Sequence, residues 1–167
     1  MSQQGIELRE KFLFTLEWLL AVTKRYSAAH VQFGLVHINY ADARKLGDIY
    51  GAQEAAQKLD EILLGLRKAF RKTDLVARDG VDFWVLVPYT ATDGKLIDKI
   101  KYIIETASQS GLQIVERDIS IFSLPFEAHG LGEQEHHSAA EFLAYLKKNH
   151  IALASHEISL PPSEVVD

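Results

Sequence analysis

Between Val31 and Pro88 the chain passes from a β-rich run, VQFGLVHINY, through a long amphipathic helix and directly into two short β-rich runs. That succession constrains the fold more than any other feature, because strand, helix and hairpin in immediate order make up most of a β-α-β-β-α-β core. The helix over Ala52–Phe70 carries Ala55, Leu59, Ile62, Leu63, Leu66 and Phe70 on one stripe, with Gln, Glu, Lys and Arg opposite. Leu75–Arg78 and Asp82–Pro88 flank Asp79-Gly80. Asp-Gly between β-rich runs predicts a hairpin turn on those two residues, because both tolerate positive φ.

The remaining segments extend the pattern. Phe12, Leu16, Leu19, Leu20 and Val22 recur at helical spacing and predict a first helix over Ile6–Tyr26. Asp42–Gly51 is mixed and polar. Leu96, Ile100, Ile103 and Ile104 predict a helix from Gly94 to about Ser108, and Asp118–Leu124 (DISIFSL) predicts a strand. Phe126–His137 reads as a loop. Ser138 opens a final helix to about Asn149, with Glu141 completing a capping-box pattern. Ile151–Leu160 predicts an edge strand. The expectation is an α/β (α+β) fold with a ferredoxin-like core: one antiparallel-containing sheet with helices packed on one face. Residues 1–160 read as a single domain and 161–167 as a loose tail.

Composition narrows the function classes. A net charge of -5 argues against broad capture of nucleic acid or an anionic membrane. The chain has no cysteine, which excludes disulfides, thiolate metal sites and a Cys nucleophile. The apolar run Phe12–Val22 is broken by Glu17 and falls short of a membrane span, so the first helix reads as amphipathic and the chain as cytoplasmic.

Fold alone leaves function open, but the residues around the hairpin are distinctive. Arg71-Lys72-Thr73-Asp74, the strand ending in Arg78, the turn Asp79-Gly80-Val81-Asp82-Phe83 and the apolar strand closing on Pro88 resemble the signature hairpin of the diguanylate-cyclase (GGDEF) family. Asp48-Ile49-Tyr50-Gly51 is similar to the N-D-x-Y-G that opens that family's long helix. Ile119-Ser120-Ile121 stands where the family has S-I-G, and Ala140–Lys148 resembles its terminal helix. The resemblance runs in order from about Phe12 to Lys148.

An active member brings two GTP molecules together, each 3′-hydroxyl attacking the other's α-phosphate. That chemistry needs carboxylates to hold divalent cations and glycines for close backbone approach. Against this pattern the sequence departs at several points. The Asp-x-Asp metal motif is matched by His37-Ile38-Asn39, whose imidazole and amide are poor Mg²⁺ ligands. About two extra residues precede Asp48. The guanine-reading Asn is matched by Gly47, which has no side chain. The signature turn is one residue short, so that either Val81 replaces a glycine or the acidic pair shrinks to Asp82 after Gly80. Lys148 matches a phosphate-contacting lysine. The resemblance with these losses implies a domain that is not an enzyme, with no metal and no cofactor.

What survives is the R-x-x-D, in the family the inhibitory site for the product cyclic di-GMP. Arg71 would pair with phosphate or guanine, Asp74 would accept from guanine N–H groups, and Arg78 would add a second contact. The alternative is purely structural: cations at a helix end facing the dipole, then a polar turn. The functional readings are thus a cyclic di-GMP receptor, or an interaction or dimerisation module that retains the fold and meets a second copy or a protein partner. His129, Glu133, Glu135, His136 and His137 could suggest a metal site but read as a solvated loop. Trp84 reads as core, Phe14 and Trp18 as core or partner surface, and His37 has no identifiable nucleophile to serve as a base.

Overall fold

The structure, a computed structural model, describes residues 2–25, 32–40, 43–88, 94–108, 117–125 and 138–161. The elements are α1 (Gln3–Arg25), β1 (Phe33–Tyr40), α2 (Ala43–Tyr50), α3 (Ala52–Ala69), β2 (Leu75–Asp79), β3 (Asp82–Val87), α4 (Gly94–Ser108), β4 (Arg117–Leu124), α5 (Ala139–Lys148), α6 (His150–Leu153) and β5 (His156–Leu160). The five strands form one sheet in the order β2-β3-β1-β4-β5, every neighbouring pair antiparallel. The first four strands with α3 and α4 reproduce the ferredoxin-like order, and β5 extends the sheet beyond β4.

β1 is central, and its two sides carry separate cores. Val36, Ile38 and Tyr40 join Leu59, Ile62, Leu63 and Leu66 of α3 and Ile100 and Ile104 of α4. Phe33 and Leu35, one residue out of phase, join Phe12 and Leu16 of α1 and Phe142, Leu143 and Leu146 of α5. Helices therefore cover both faces, which corrects the expectation of one covered face. The reason is visible in the burial of β1: seven of its eight residues are buried, so neither face can be left to water. Burying Phe12 and Leu16 completely contributes roughly 1.5–3 kcal/mol each.

Three further local expectations need revision. The polar segment after β1 contains helix α2, carried by Leu46, which is buried, and by Tyr50 one turn on, which packs against the same core. Gly51, with φ at 80°, ends α2 and starts α3, a conformation that a side chain disfavours. The hairpin turn sits one residue later than expected, because Asp79 pairs with Asp82 and the loop is Gly80-Val81. Gly80 has φ at 60°, the positive value that the primed turns of two-residue hairpin loops require at their first position. Residues 150–153 are a turn of helix, and the edge strand is confined to β5. The capping box holds: the Glu141 N–H donates to Ser138 Oγ at 3.1 Å.

Candidate functional site

Strand alternation sorts the hairpin residues by face. On the α1/α5 side, His37, Asn39 and Asp82 come together from β1 and β3, which pair His37 with Trp84 and Asn39 with Asp82. Asp82 Oδ1 lies 2.8 Å from His37 Nε2 and 2.7 Å from Asn39 Nδ2, and its Oδ2 lies 2.7 Å from Lys147 Nζ. Burial alone would raise the Asp82 pKa, but hydrogen bonds from His37, Lys147 and Asn39 outweigh it and bring it down to about 2. The carboxylate is therefore ionised and accepts only, so His37 Nε2 carries the proton. The His37 ring is buried and stacks on Trp84 at 4.3 Å between centroids.

Beside this cluster a cleft of about 420 Å³ opens between α1, the hairpin and α5. Phe12, Leu13, Ala77, Trp84 and Leu143 make it apolar, and Arg9, Asp79 and Lys147 put charge at its rim. Arg9 stands 3.8 Å from Asp79, an exposed and loose pair. Such a lining suits an amphipathic occupant.

On the α3 side of the hairpin, Arg78 is buried. Its Nη2 donates to Asp60 Oδ1 at 2.9 Å and its Nη1 to the Gly80 carbonyl at 2.7 Å, while Nε is buried without a hydrogen-bond partner among the described residues. Asp74 is also buried. Its Oδ2 accepts from the Arg71 N–H at 3.0 Å, and its own N–H donates to the Arg71 carbonyl at 2.9 Å, so the R-x-x-D closes as a tight turn. The Arg71 side chain is exposed. Arg78 stands four positions after Asp74, about 13 Å away at strand rise. The structure thus joins Arg71 to Asp74 and sets Arg78 apart from them.

The other expected positions are scattered. Gly47 lies within α2, Asp48 is exposed, and Val81 is half-buried in the turn, its carbonyl accepting from the Tyr40 N–H. Lys148 is exposed, and the lysine that reaches the sheet is its neighbour Lys147. Lys147 and Asp60 were missed by sequence reasoning. Helical spacing could have offered Lys147, one turn after Leu143 on the buried stripe of α5, but nothing local marks Asp60 as the partner of Arg78. His129, Glu133, Glu135, His136 and His137 lie outside the described residues.

No family model matches the chain. An uncharacterized protein of Bacillus subtilis (strain 168), YhcK, is 30% identical over 106 residues, 62% of this chain but 29% of that protein. The chain thus spans less than a third of that relative. Among solved structures, the GGDEF domain of DgcB from Caulobacter crescentus in complex with c-di-GMP superposes with a TM-score of 0.60 at 14% identity, over 86% of this chain and 82% of that one. The GGDEF domain of YfiN (TpbB) from Pseudomonas aeruginosa superposes with a TM-score of 0.55 at 20% identity, over 87% and 86%. The chain has the fold of a GGDEF domain.

An active GGDEF domain, as the resemblance describes it, would hold a divalent cation on β1 and the hairpin. The residues present here do not fit one. Both oxygens of Asp82 already accept N–H donors, and one of those donors is an ammonium at 2.7 Å. A cation there would lie beside the Lys147 ammonium and would have to displace the donors that Asp82 already holds, whereas Mg²⁺ demands near-octahedral oxygen ligation.

Proposed function

We propose that this chain is a non-catalytic signalling domain with the GGDEF fold. The observation that carries the reading is the closed cluster at Asp82. Where the family pattern calls for metal carboxylates, His37 and Asn39 are instead donors that occupy the Asp82 carboxylate. Without a cation the α-phosphate of GTP would meet a carboxylate unscreened except by Lys147, and nothing would stabilise the charge that builds during transfer. Incubation of the purified chain with GTP and either Mg²⁺ or Mn²⁺ should give no cyclic di-GMP by chromatography. Product formation that is abolished by Asp82→Asn would refute the reading.

A second reading, capture of cyclic di-GMP, is favoured by the Arg71–Asp74 turn. It presents an exposed guanidinium beside a carboxylate held in place by backbone hydrogen bonds, the groups that can pair with phosphate and with guanine N–H donors. Arg78 takes no part in it, being bound to Asp60. Calorimetric titration with cyclic di-GMP tests this directly. Saturable heat lost in Arg71→Ala supports it; absence of heat removes the ligand and leaves the non-catalytic domain standing.

A further inference from the structure

The cleft between α1, the hairpin and α5 has a firm apolar floor. Phe12, Ala77, Trp84 and Leu143 belong to one packed core and are each more than nine-tenths buried. Trp84 is held in addition by its stack on His37. Room remains above this floor because α5 presents only Ala140 and Ala144 to the cleft, one turn apart. The volume of about 420 Å³ lies within the range of about 300–1,000 Å³ that small-molecule sites occupy.

The charged side chains around the mouth are not equivalent. Asp82 is committed, its two oxygens accepting from His37, Asn39 and Lys147. Arg78 borders the cleft but spends its guanidinium on Asp60 and the Gly80 carbonyl. Lys147 is 51% exposed and keeps further N–H donors beyond the one on Asp82. Arg9 makes no hydrogen bond to any described residue: its ion-pair partner, Asp79, stands 3.8 Å away and is 79% exposed. A pair so long and so wet contributes little, and Asp79 can turn to water at small cost.

Unspent guanidinium N–H groups above an apolar floor are the complement of a carboxylate carried on an apolar body, since guanidinium and carboxylate pair bidentately. With Asp79 turned away, Arg9 and Lys147 against Asp82 leave a single positive charge to match. That balance suits a monoanion and opposes a polyphosphate. We propose that the cleft binds an amphipathic monocarboxylate of small-molecule size, its carboxylate on Arg9 beside Lys147 and its apolar body on Trp84 and Phe12. The site is independent of the Arg71–Asp74 turn, neither residue of which lines it.

The chain has two tryptophans, and Trp18 is 59% exposed, so Trp18→Phe leaves the fold intact and Trp84 as the sole reporter. In that background, sodium decanoate titrated below its micellar concentration should give a saturable change in Trp84 emission. The neutral 1-decanol should bind about tenfold more weakly, for want of a charge-assisted hydrogen bond, and decyltrimethylammonium should not bind. Arg9→Gln should weaken decanoate about tenfold and leave decanol unchanged. Asp79→Asn, which removes the competing carboxylate, should tighten decanoate. Ala144→Phe, at an exposed position of α5, should fill the cleft and abolish binding with circular dichroism and Tm unchanged. GTP in excess should not displace decanoate. No saturable change, equal affinity for decanoate and decanol, indifference to Arg9→Gln or to Ala144→Phe, or displacement by GTP would each overturn the proposal.

Discussion

Asp82→Asn is the perturbation that most directly probes the cluster under the hairpin. In the folded chain the Asp82 pKa drops from 3.8 to about 2. At 1.36 kcal/mol per pKa unit, the native state favours the ionised form by roughly 2.5 kcal/mol. The side chain is 16% exposed, so solvent screening discounts this only modestly. Because the folded pKa lies below the unfolded one, the contribution is complete above about pH 4 and disappears as pH falls towards 2. Asparagine keeps one oxygen for His37 and Asn39 but gives up the charge and the bond to Lys147. Urea unfolding at pH 7 should show the variant less stable by about 2 kcal/mol. The gap should hold to about pH 4 and then narrow, since only the parent loses stability by protonating this group. A gap that persists unchanged to the lowest pH, or no gap at neutral pH, would mean that the three donors do not stabilise the carboxylate and that the cluster is not closed in solution.

Other expectations follow from single contacts. Asp60→Ala leaves the buried Arg78 guanidinium with only the Gly80 carbonyl and should cost about 3 kcal/mol in urea unfolding, while Asp60→Leu combined with Arg78→Met should recover most of it. Gly80→Ala meets no atom within 4 Å but must hold φ at 60°, so it should cost about 1 kcal/mol through backbone strain alone. Leu66→Ala, at a site that is fully buried, should cost about 3 kcal/mol, whereas Ile151→Ala, 83% exposed, should stay within about 0.5 kcal/mol by the same measurement.

Much of the architecture is legible in the chain because it follows from local periodicity. The stripe of α3, the β-rich β1, the paired runs around the turn and the capped start of α5 are each written within a single window of sequence, and together they specify a strand-helix-hairpin order that few folds satisfy. The resemblance to the GGDEF hairpin rested on the same local text. What resisted reading was either short or long-range. Helix α2 has only Leu46 and Tyr50 to mark its buried side, too few to show a period. The position of the turn depended on which residue paired with Asp79, and that is the register of β2 against β3.

The site divides along the same line. Sequence by itself, through resemblance, set His37 and Asn39 where the family pattern has metal carboxylates and gave Arg71 and Asp74 the spacing of its R-x-x-D. Only the tertiary structure decided what those residues do. His37 and Asp82 are 45 residues apart, Lys147 and Asp82 are 65 apart, and Arg78 finds Asp60 across the face of α3. A side chain's partners are set by which strands lie side by side and which face each residue takes. Alternation gives the face relative to its own strand, but only packing of the whole sheet says what waits there.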